Sequence, residues 1–558
     1  MRWVQRINLI FFACVLGHPA MATPLLVENV HGYSTTADGL RRFEQLLINQ
    51  GRVVRLGPAS ATHPDPSPLQ RLDGHGLTLL PGLIDAHGHV LGLGMRHLQA
   101  DLVGTQSLAE SLQRSKDFAQ SHRKLAWVLG RGWNQVLWQE KQFPLARDLD
   151  KIISDRPVWL RRIDGHAAWA NHKAMTLAGI DANTPDPVGG RLLRNAKGVP
   201  TGIFVDAAMA LIDRVVPPPS PEQRRTAITT ALTELAAFGL TGVHDPGVDA
   251  QSVALYRDLA DHQALPIRVY AMISGAGDTF DTLSQHGPLR NYGKDHLTVA
   301  SVKLYADGAL GSRGAALIAP YSDRPQHSGL LFNTDQALLD MILKAFRRGY
   351  QVNVHAIGDR ANRQVLNAFD LAFARYPEAR ALRNRIEHAQ VVALADIPRF
   401  KSEGVIPSMQ PTHATSDMNM AQDRIGSERL KGAYAWRSFL NQGSHIPAGS
   451  DFPVESANPF FGIHAAVTRQ DHNDQPPGGW HPEQAMTVAE ALRAFTLDAA
   501  YAARQDQQLG NLEPGKWADF ILVDRDIFRV PASVLWQTRV LQTWVAGQRI
   551  YAAKTPGA

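Results

Sequence analysis

The residues best suited to chemistry in this chain are histidines, one aspartate and one lysine, each closing or ending an apolar run. His87 and His89 follow the run Leu79 to Ile84 and are spaced by one residue. A strand-like backbone sends such a pair to the same side, where both can grip one ion. Gly88 between them adds no bulk and lets the backbone approach that ion. The pair alone is a weak signal, because 22 histidines in 558 residues supply roughly one such pair by chance. It gains weight from Lys303 in Val302-Lys303-Leu304-Tyr305, His355 after Val352-Asn353-Val354, His388 after Ile386-Glu387, and Asp451 after Ala448-Gly449-Ser450. Neutral imidazoles and carboxylates suit Zn2+ and similar divalent ions. Lysine is a poor ligand as an ammonium. A buried lysine with a depressed pKa can instead take up CO2 as a carbamate, an anion whose two oxygens can bridge two metals. Asp451 can bind a metal and also accept the proton of the nucleophilic water, whose pKa the metal lowers towards about 7.

Six such groups need a scaffold that delivers them to one place. Strand patterns occur at Leu79–Ile84, Leu240–His244, Ile267–Ile273, Val299–Leu304, Gln351–His355, Arg385–Glu387, Val405–Met409 and His445–Ala448. Helical patterns lie between most of them, with apolar residues at helix spacing in Pro221–Phe238 and Asp335–Arg348 and more loosely in Asn362–Tyr376. Alternating strands and helices imply a parallel sheet, and eight units predict an α/β fold of the closed (β/α)8 TIM-barrel kind over residues 79–505. Its active site would lie at the C-terminal ends of the strands, where the candidate ligands fall. One connection is too long for a barrel loop. Residues 96–219 carry their own helix (Ser107–Ser121) and strands (Leu125–Leu129, Pro157–Arg162), which predicts an α/β insertion after the first strand. It holds five of the eleven tryptophans. Trp133, in the polar and flexible setting Gly130-Arg131-Gly132-Trp133-Asn134, reads as a pocket wall. Leu25–Val30, Gly51–Leu56, Gly515–Val523 and Val540–Ile550 also read as strands, predicting a small composite β-sandwich built from residues 23–78 and 506–558.

A hydrophobic content of 44% with 20% charged residues is that of a soluble globular protein. The formal charge of +5 comes without a long basic run or a basic-aromatic patch, which excludes nucleic acid as a partner. Arg2 and Arg6, the apolar stretch Ile7 to Gly17 and Ala20-Met21-Ala22 form the three parts of a signal peptide over residues 1–22. Cleavage after Ala22 would start the mature chain at Thr23 and remove Cys14, the only cysteine, leaving a disulfide-free periplasmic or secreted protein that is not held in a membrane.

The motifs PGLIDAHGH (81–89), RGWNQVLW (131–138), RRIDGHAAW (161–169), KLYADGALGSR (303–313), VHAIGD (354–359), IEHAQ (386–390) and GSDFP (449–453) resemble the amidohydrolase superfamily, and within it amidohydrolase family 3 proteins of the N-substituted formamide deformylase type. The resemblance runs from about Leu25 to the C-terminus. It implies a metal-dependent hydrolase of C–N bonds in non-peptide amides of N-formyl or N-acyl type, with a small-molecule amide as partner; the oligomeric state stays open, a homodimer being one candidate. Carried over, His87 and His89 bind one Zn2+, His355 and His388 the other, carboxylated Lys303 bridges them, and Asp451 is both ligand and general base. Trp133, His166, Arg313 and His413 are candidate substrate contacts, and Asp164 neighbours His166. His413 is placed for the leaving group or an oxyanion, and Arg313 for a substrate carboxylate or a structural ion pair. His244 and Asp245 read as supports for the ligands, Asp307 and Asp359 as helix caps. Two other readings stand beside this one: a mononuclear deaminase or cyclic-amide hydrolase on the same barrel, and an exported metal- or ligand-binding protein without turnover.

Overall fold

The computed structural model describes residues 23–554, apart from 37, 61–65, 67, 136, 140, 163–166, 188–189 and 312. The signal-peptide residues 1–22, and Asp164 and His166, therefore lie outside the described residues. No helix among the described residues is long and apolar enough to cross a membrane.

Seven parallel strands, Leu83–Asp85, Leu240–Val248, Arg268–Ser274, Leu297–Tyr305, Gln351–Ala356, Arg385–His388 and Ile406–Ser408, pair in chain order. In chain order they are the first to seventh strands. The expected eighth, His445–Ala448, is reduced to a single parallel bridge between Met409 and Ala448. Pro447 has no N–H to donate, so the ladder is interrupted there. The bridge still joins the two sheet edges: Met409 N–H donates to Pro447 O at 3.0 Å, and Ala86 N–H to Ala448 O at 3.0 Å. These two bonds link the residue after the seventh strand to the residue after the first.

Helices pack outside this sheet for reasons their sequences make plain. Asp335–Arg347 buries Leu338, Leu339, Ile342, Leu343 and Phe346 along one face, and the Thr334 hydroxyl caps it by accepting from Ala337 N–H at 3.2 Å. Pro221–Ala237 starts at a capping box between Ser220 and Gln223, with proline at its first turn. Gly94 permits its contact with the short helix Val90–Arg96: a Cβ there would lie 1.9 Å from Ala227 O.

The predicted strand Leu79–Ile84 is divided between two sheets. Thr78–Pro81 pairs antiparallel with Phe520–Val523, whereas Leu83–Asp85 enters the barrel beside the second strand. Pro81 and Gly82 make the break, and Gly82 N–H donates to Asp519 O at 2.8 Å. The first of these sheets runs Gln548–Ala552, Val540–Val545, Phe520–Val523, Thr78–Pro81, His31–Thr36, Gly39–Phe43, so both chain ends contribute. A four-stranded sheet of Arg52–Gly57, Gln45–Asn49, Leu25–Glu28 and Gln70–Asp73 shares an apolar cluster with it, including Val27, Leu46, Leu79 and Phe520.

Between the first and second barrel strands, a separate six-stranded sheet joins Gly190–Arg194, Pro200–Asp206, Ala167–Ala170, Val158–Arg162, Val128–Trp133 and Ala100–Asp101. Trp133 corrects the pocket-wall expectation. It is wholly buried, its ring meets Trp138, Trp169 and Phe143, and its Nε1–H donates to Leu160 O at 2.7 Å. Gly132, with φ +106°, passes so close to Val103 that no side chain fits, and this turns Trp133 inward.

Candidate metal centre

The first strand ends at Asp85, and His87 and His89 lie beyond it in irregular backbone rather than within the strand. Neighbouring strands hold that backbone. Gly88 N–H donates to His244 O at 3.0 Å, His89 N–H to Phe452 O at 2.7 Å, and Asp451 N–H to His87 O at 2.7 Å. Gly88 is required by packing, because a Cβ there would stand 2.2 Å from the Phe452 ring. The Asp85 carboxylate accepts from His87 N–H at 3.0 Å and from the Ser450 hydroxyl at 2.6 Å, clamping the histidine pair to the segment that carries Asp451. Burial raises the Asp85 carboxyl to about 7.

Each histidine of the pair has one ring nitrogen tied behind it. His87 Nδ1–H donates to Glu387 Oε2 at 2.5 Å, and His89 Nδ1–H to Pro246 O at 3.1 Å. Both therefore present Nε2 to the mouth. His89 Nε2 lies 3.2 Å, and His87 Nε2 3.7 Å, from Asp451 Oδ1. Lys303 Nζ lies 3.2 Å from His87 Nε2. Burial lowers the His87 imidazole to about 4 and the Lys303 amine to about 8. Burial also acts on Asp451, but the imidazoles of His89, His87 and His413 outweigh it and hold the carboxyl well below its usual range.

His388 and His413 face the same carboxylate from the other side. His388 Nδ1–H donates to Gln410 Oε1 at 2.7 Å, leaving Nε2 free. His413 stacks on His388 with centroids 5.8 Å apart and places Nε2 3.7 Å from Asp451 Oδ2. His355 meets His388 edge-on at 4.5 Å, with Nε2 3.6 Å from Asp307 Oδ1. Burial lowers the His355 imidazole to about 3. Strand alternation would send adjacent Glu387 and His388 to opposite faces. His388 reaches the mouth because its backbone is left-handed, φ +76°, and Asp451 is likewise at +59°. Such conformations cost on the order of 1–3 kcal/mol and persist where the surroundings impose them.

The donor set fits a divalent metal. Among the described residues, His87, His89 and Asp451 form one group, and His388, His413 and Asp451 another, with ligand atoms within 4.8 Å of one another in each. His355 Nε2, His413 Nε2 and Asp451 Oδ1 are buried without hydrogen bonds. An unsatisfied buried polar atom costs about 1–3 kcal/mol, which coordination would offset. Lys303 is fully buried within reach of the first group, and His355 stands beside the second.

Of the polar residues behind the ligands, spacing alone misses Arg385, Glu387 and Gln410. Arg385 Nε–H donates to Glu387 Oε1 at 2.7 Å, Arg385 Nη2 to Ala86 O at 3.0 Å, and Arg385 Nη1 to His244 Nδ1 at 2.9 Å. Their signal was two opposite charges on alternate residues of a short strand, which must pair if both face inward. His244 thus supports Arg385. Asp245 accepts from Val90 N–H at 3.2 Å and from the Tyr256 hydroxyl at 2.6 Å. Asp307 is not the N-cap of a described helix: it accepts from Ala316, Ile357 and Gly358 N–H groups, fixing the loop after the fourth strand. Asp359 accepts from Ile318 N–H in the same loop. Arg313 is bound bidentately by the chain's own Asp323, at 3.2 and 2.8 Å, which replaces the substrate-carboxylate expectation with an internal ion pair.

Residues 70–551 match the sequence profile of the amidohydrolase family. The protein LONG AFTER FAR-RED 3 of Arabidopsis thaliana is 34% identical over 549 residues, covering 94% of this chain and 91% of that one. The N-substituted formamide deformylase of Arthrobacter pascens is 27% identical over 531 residues, covering 90% and 94%. The crystal structure of a metal-dependent hydrolase from Pyrococcus horikoshii superposes with a TM-score of 0.76 at 27% identity, over 91% of this chain and 99% of that one.

Proposed function

The chain belongs to the amidohydrolase family, a family of metal-dependent hydrolases, and we propose that it cleaves the C–N bond of a small non-peptide amide of N-formyl or N-acyl type. The observation that carries this reading is the convergence of His87, His89, His388 and His413 on the single carboxylate of Asp451, with Lys303 against His87. His87 and His89 would hold one divalent ion with Asp451, and His388 the other, with His355 and His413 both beside it. Lys303, as a carbamate, would join the two. When bound, an ion such as Zn2+ polarises the substrate carbonyl and lowers the pKa of a water towards about 7.

The chain's own residues handle the proton. Asp451, held ionised by its imidazole neighbours, accepts a proton as water oxygen bonds to the carbonyl carbon. It returns that proton to the nitrogen as the C–N bond breaks, so amide and water become a carboxylic acid and an amine. The Arthrobacter relative, whose name specifies N-substituted formamides, supports the N-formyl arm of the reading. The test is metal analysis of the purified protein together with release of amine and formate from N-formyl and N-acyl amides, with and without a chelator. Turnover that survives complete metal removal, or no turnover on any amide, rejects the reading. The signal features of residues 1–22 support export, which a mature N-terminus other than Thr23 would contradict.

A further inference from the structure

Lys303 and Tyr305 alternate along the fourth strand, so both side chains project into the barrel mouth, Tyr305 one layer above. Lys303 Nζ lies 5.2 Å from the centre of the Tyr305 ring. Tyr305 is registered against His355 on the fifth strand, and the two rings stand 5.6 Å apart. The phenol reaches from the fourth strand towards the second: a Cβ on Gly247 would lie 3.4 Å from Tyr305 Oη. Gly247 follows Pro246, whose carbonyl orients His89. The ring therefore roofs the space between Lys303 and the strand that holds His89.

The backbone beneath the ring is fixed, since Asn333 Nδ2–H donates to Tyr305 O at 2.8 Å and Phe332 N–H to Ala306 O at 2.8 Å. The hydroxyl, by contrast, has no hydrogen-bond partner among the described residues, and Tyr305 is 39% exposed, like His89 at the rim of a mouth whose floor is buried. Ion pairing accounts for Arg313, and apolar packing accounts for Trp133.

We infer that Tyr305 is a catalytic residue that donates a hydrogen bond from Oη to the substrate carbonyl oxygen as that oxygen gains charge. The inference rests on the amide-hydrolase reading. The phenol keeps its proton throughout: the oxygen–carbon bond forms from water, the C–N bond breaks, and Asp451 carries the transferred proton. A single preorganised donor of this kind contributes about 100-fold to turnover.

Tyr305→Phe keeps the ring and its packing and removes only the hydroxyl. It is expected to lower kcat about 100-fold with KM and metal content unchanged, and to weaken a phosphinate mimic of the tetrahedral adduct by a similar factor. If Tyr305→Phe does not fold, Tyr305→His and Tyr305→Leu carry the comparison, with histidine retaining more turnover than leucine. Wild-type turnover in Tyr305→Phe overturns the inference and leaves the amide-hydrolase reading standing. A kcat loss that tracks lost metal also overturns it, by assigning the ring a structural role. A wild-type protein inert towards every amide rejects the reading, and the role of Tyr305 falls with it.

Discussion

The two histidine groups that meet at Asp451 are anchored unequally. His87 and His89 each have the rear ring nitrogen tied, to Glu387 and to Pro246 O, and Asp85 clamps their backbone to Ser450. On the other side, among the described residues, His388 alone has its Nδ1 tied, to Gln410, while the Nε2 atoms of His355 and His413 are buried without partners. A ligand whose ring is already oriented loses little freedom on coordination, whereas an untied ring must be ordered by the ion itself. The first group is therefore the preorganised one, and the second has a choice of partners for His388.

The largest effect is expected where the two groups share a residue. Asp451→Asn should lower kcat about 1,000-fold while much of the metal remains, as read by steady-state kinetics and elemental analysis of one sample; near-normal turnover would remove Asp451 from proton transfer. Next comes the asymmetry. Glu387→Gln should weaken metal binding at the first group about 10- to 100-fold in chelator competition, and Gln410→Ala should cost the second group less. Equal losses would erase the distinction between them.

A smaller change is expected with pH. Burial puts the Lys303 amine at about 8, so it is charged below that pH and neutral above it. Only the neutral amine can take up CO2, and its fraction rises about tenfold between pH 7 and 9. In metal-free protein supplied with 13C-bicarbonate, the carbamate NMR signal should grow through that interval and be absent in Lys303→Ala. A signal independent of pH, or present without Lys303, would contradict the bridging role. The smallest effect lies in the inserted sheet. Trp133→Phe loses the bond to Leu160 O and should cost about 1 kcal/mol of stability in denaturant unfolding, with KM unchanged. A raised KM at normal stability would return Trp133 to the substrate pocket.

Much of this site was legible before any coordinates. His87, His89, Lys303, His355, His388 and Asp451 announced themselves by type and by position at or just after apolar runs, and the strand–helix alternation predicted a parallel sheet beneath them. Arg385 and Glu387 were visible only as charges inside a short strand, and Gln410 as an ordinary polar residue, because their partners lie on other strands. Trp133 was misread because its local setting is polar and glycine-rich, while its burial comes from Trp138, Trp169 and Phe143. Leu79–Ile84 read as one strand because period and apolarity cannot reveal that its halves pair with different sheets.

By itself, then, the amino-acid order determined what is local: which side chains can ligate, and which runs can be strands or helices. Tertiary structure decided what depends on neighbours. It brought His413 beside His388 and Asp451, linked the ends of the seventh and first strands through Met409, Ala448 and Ala86, and turned His388 inward through a left-handed backbone that only the surrounding packing can sustain. It also left the Tyr305 hydroxyl above the centre without a partner among the described residues. The physical reason is range: propensity and periodicity act over a few residues, whereas a metal centre is assembled from strand ends hundreds of residues apart.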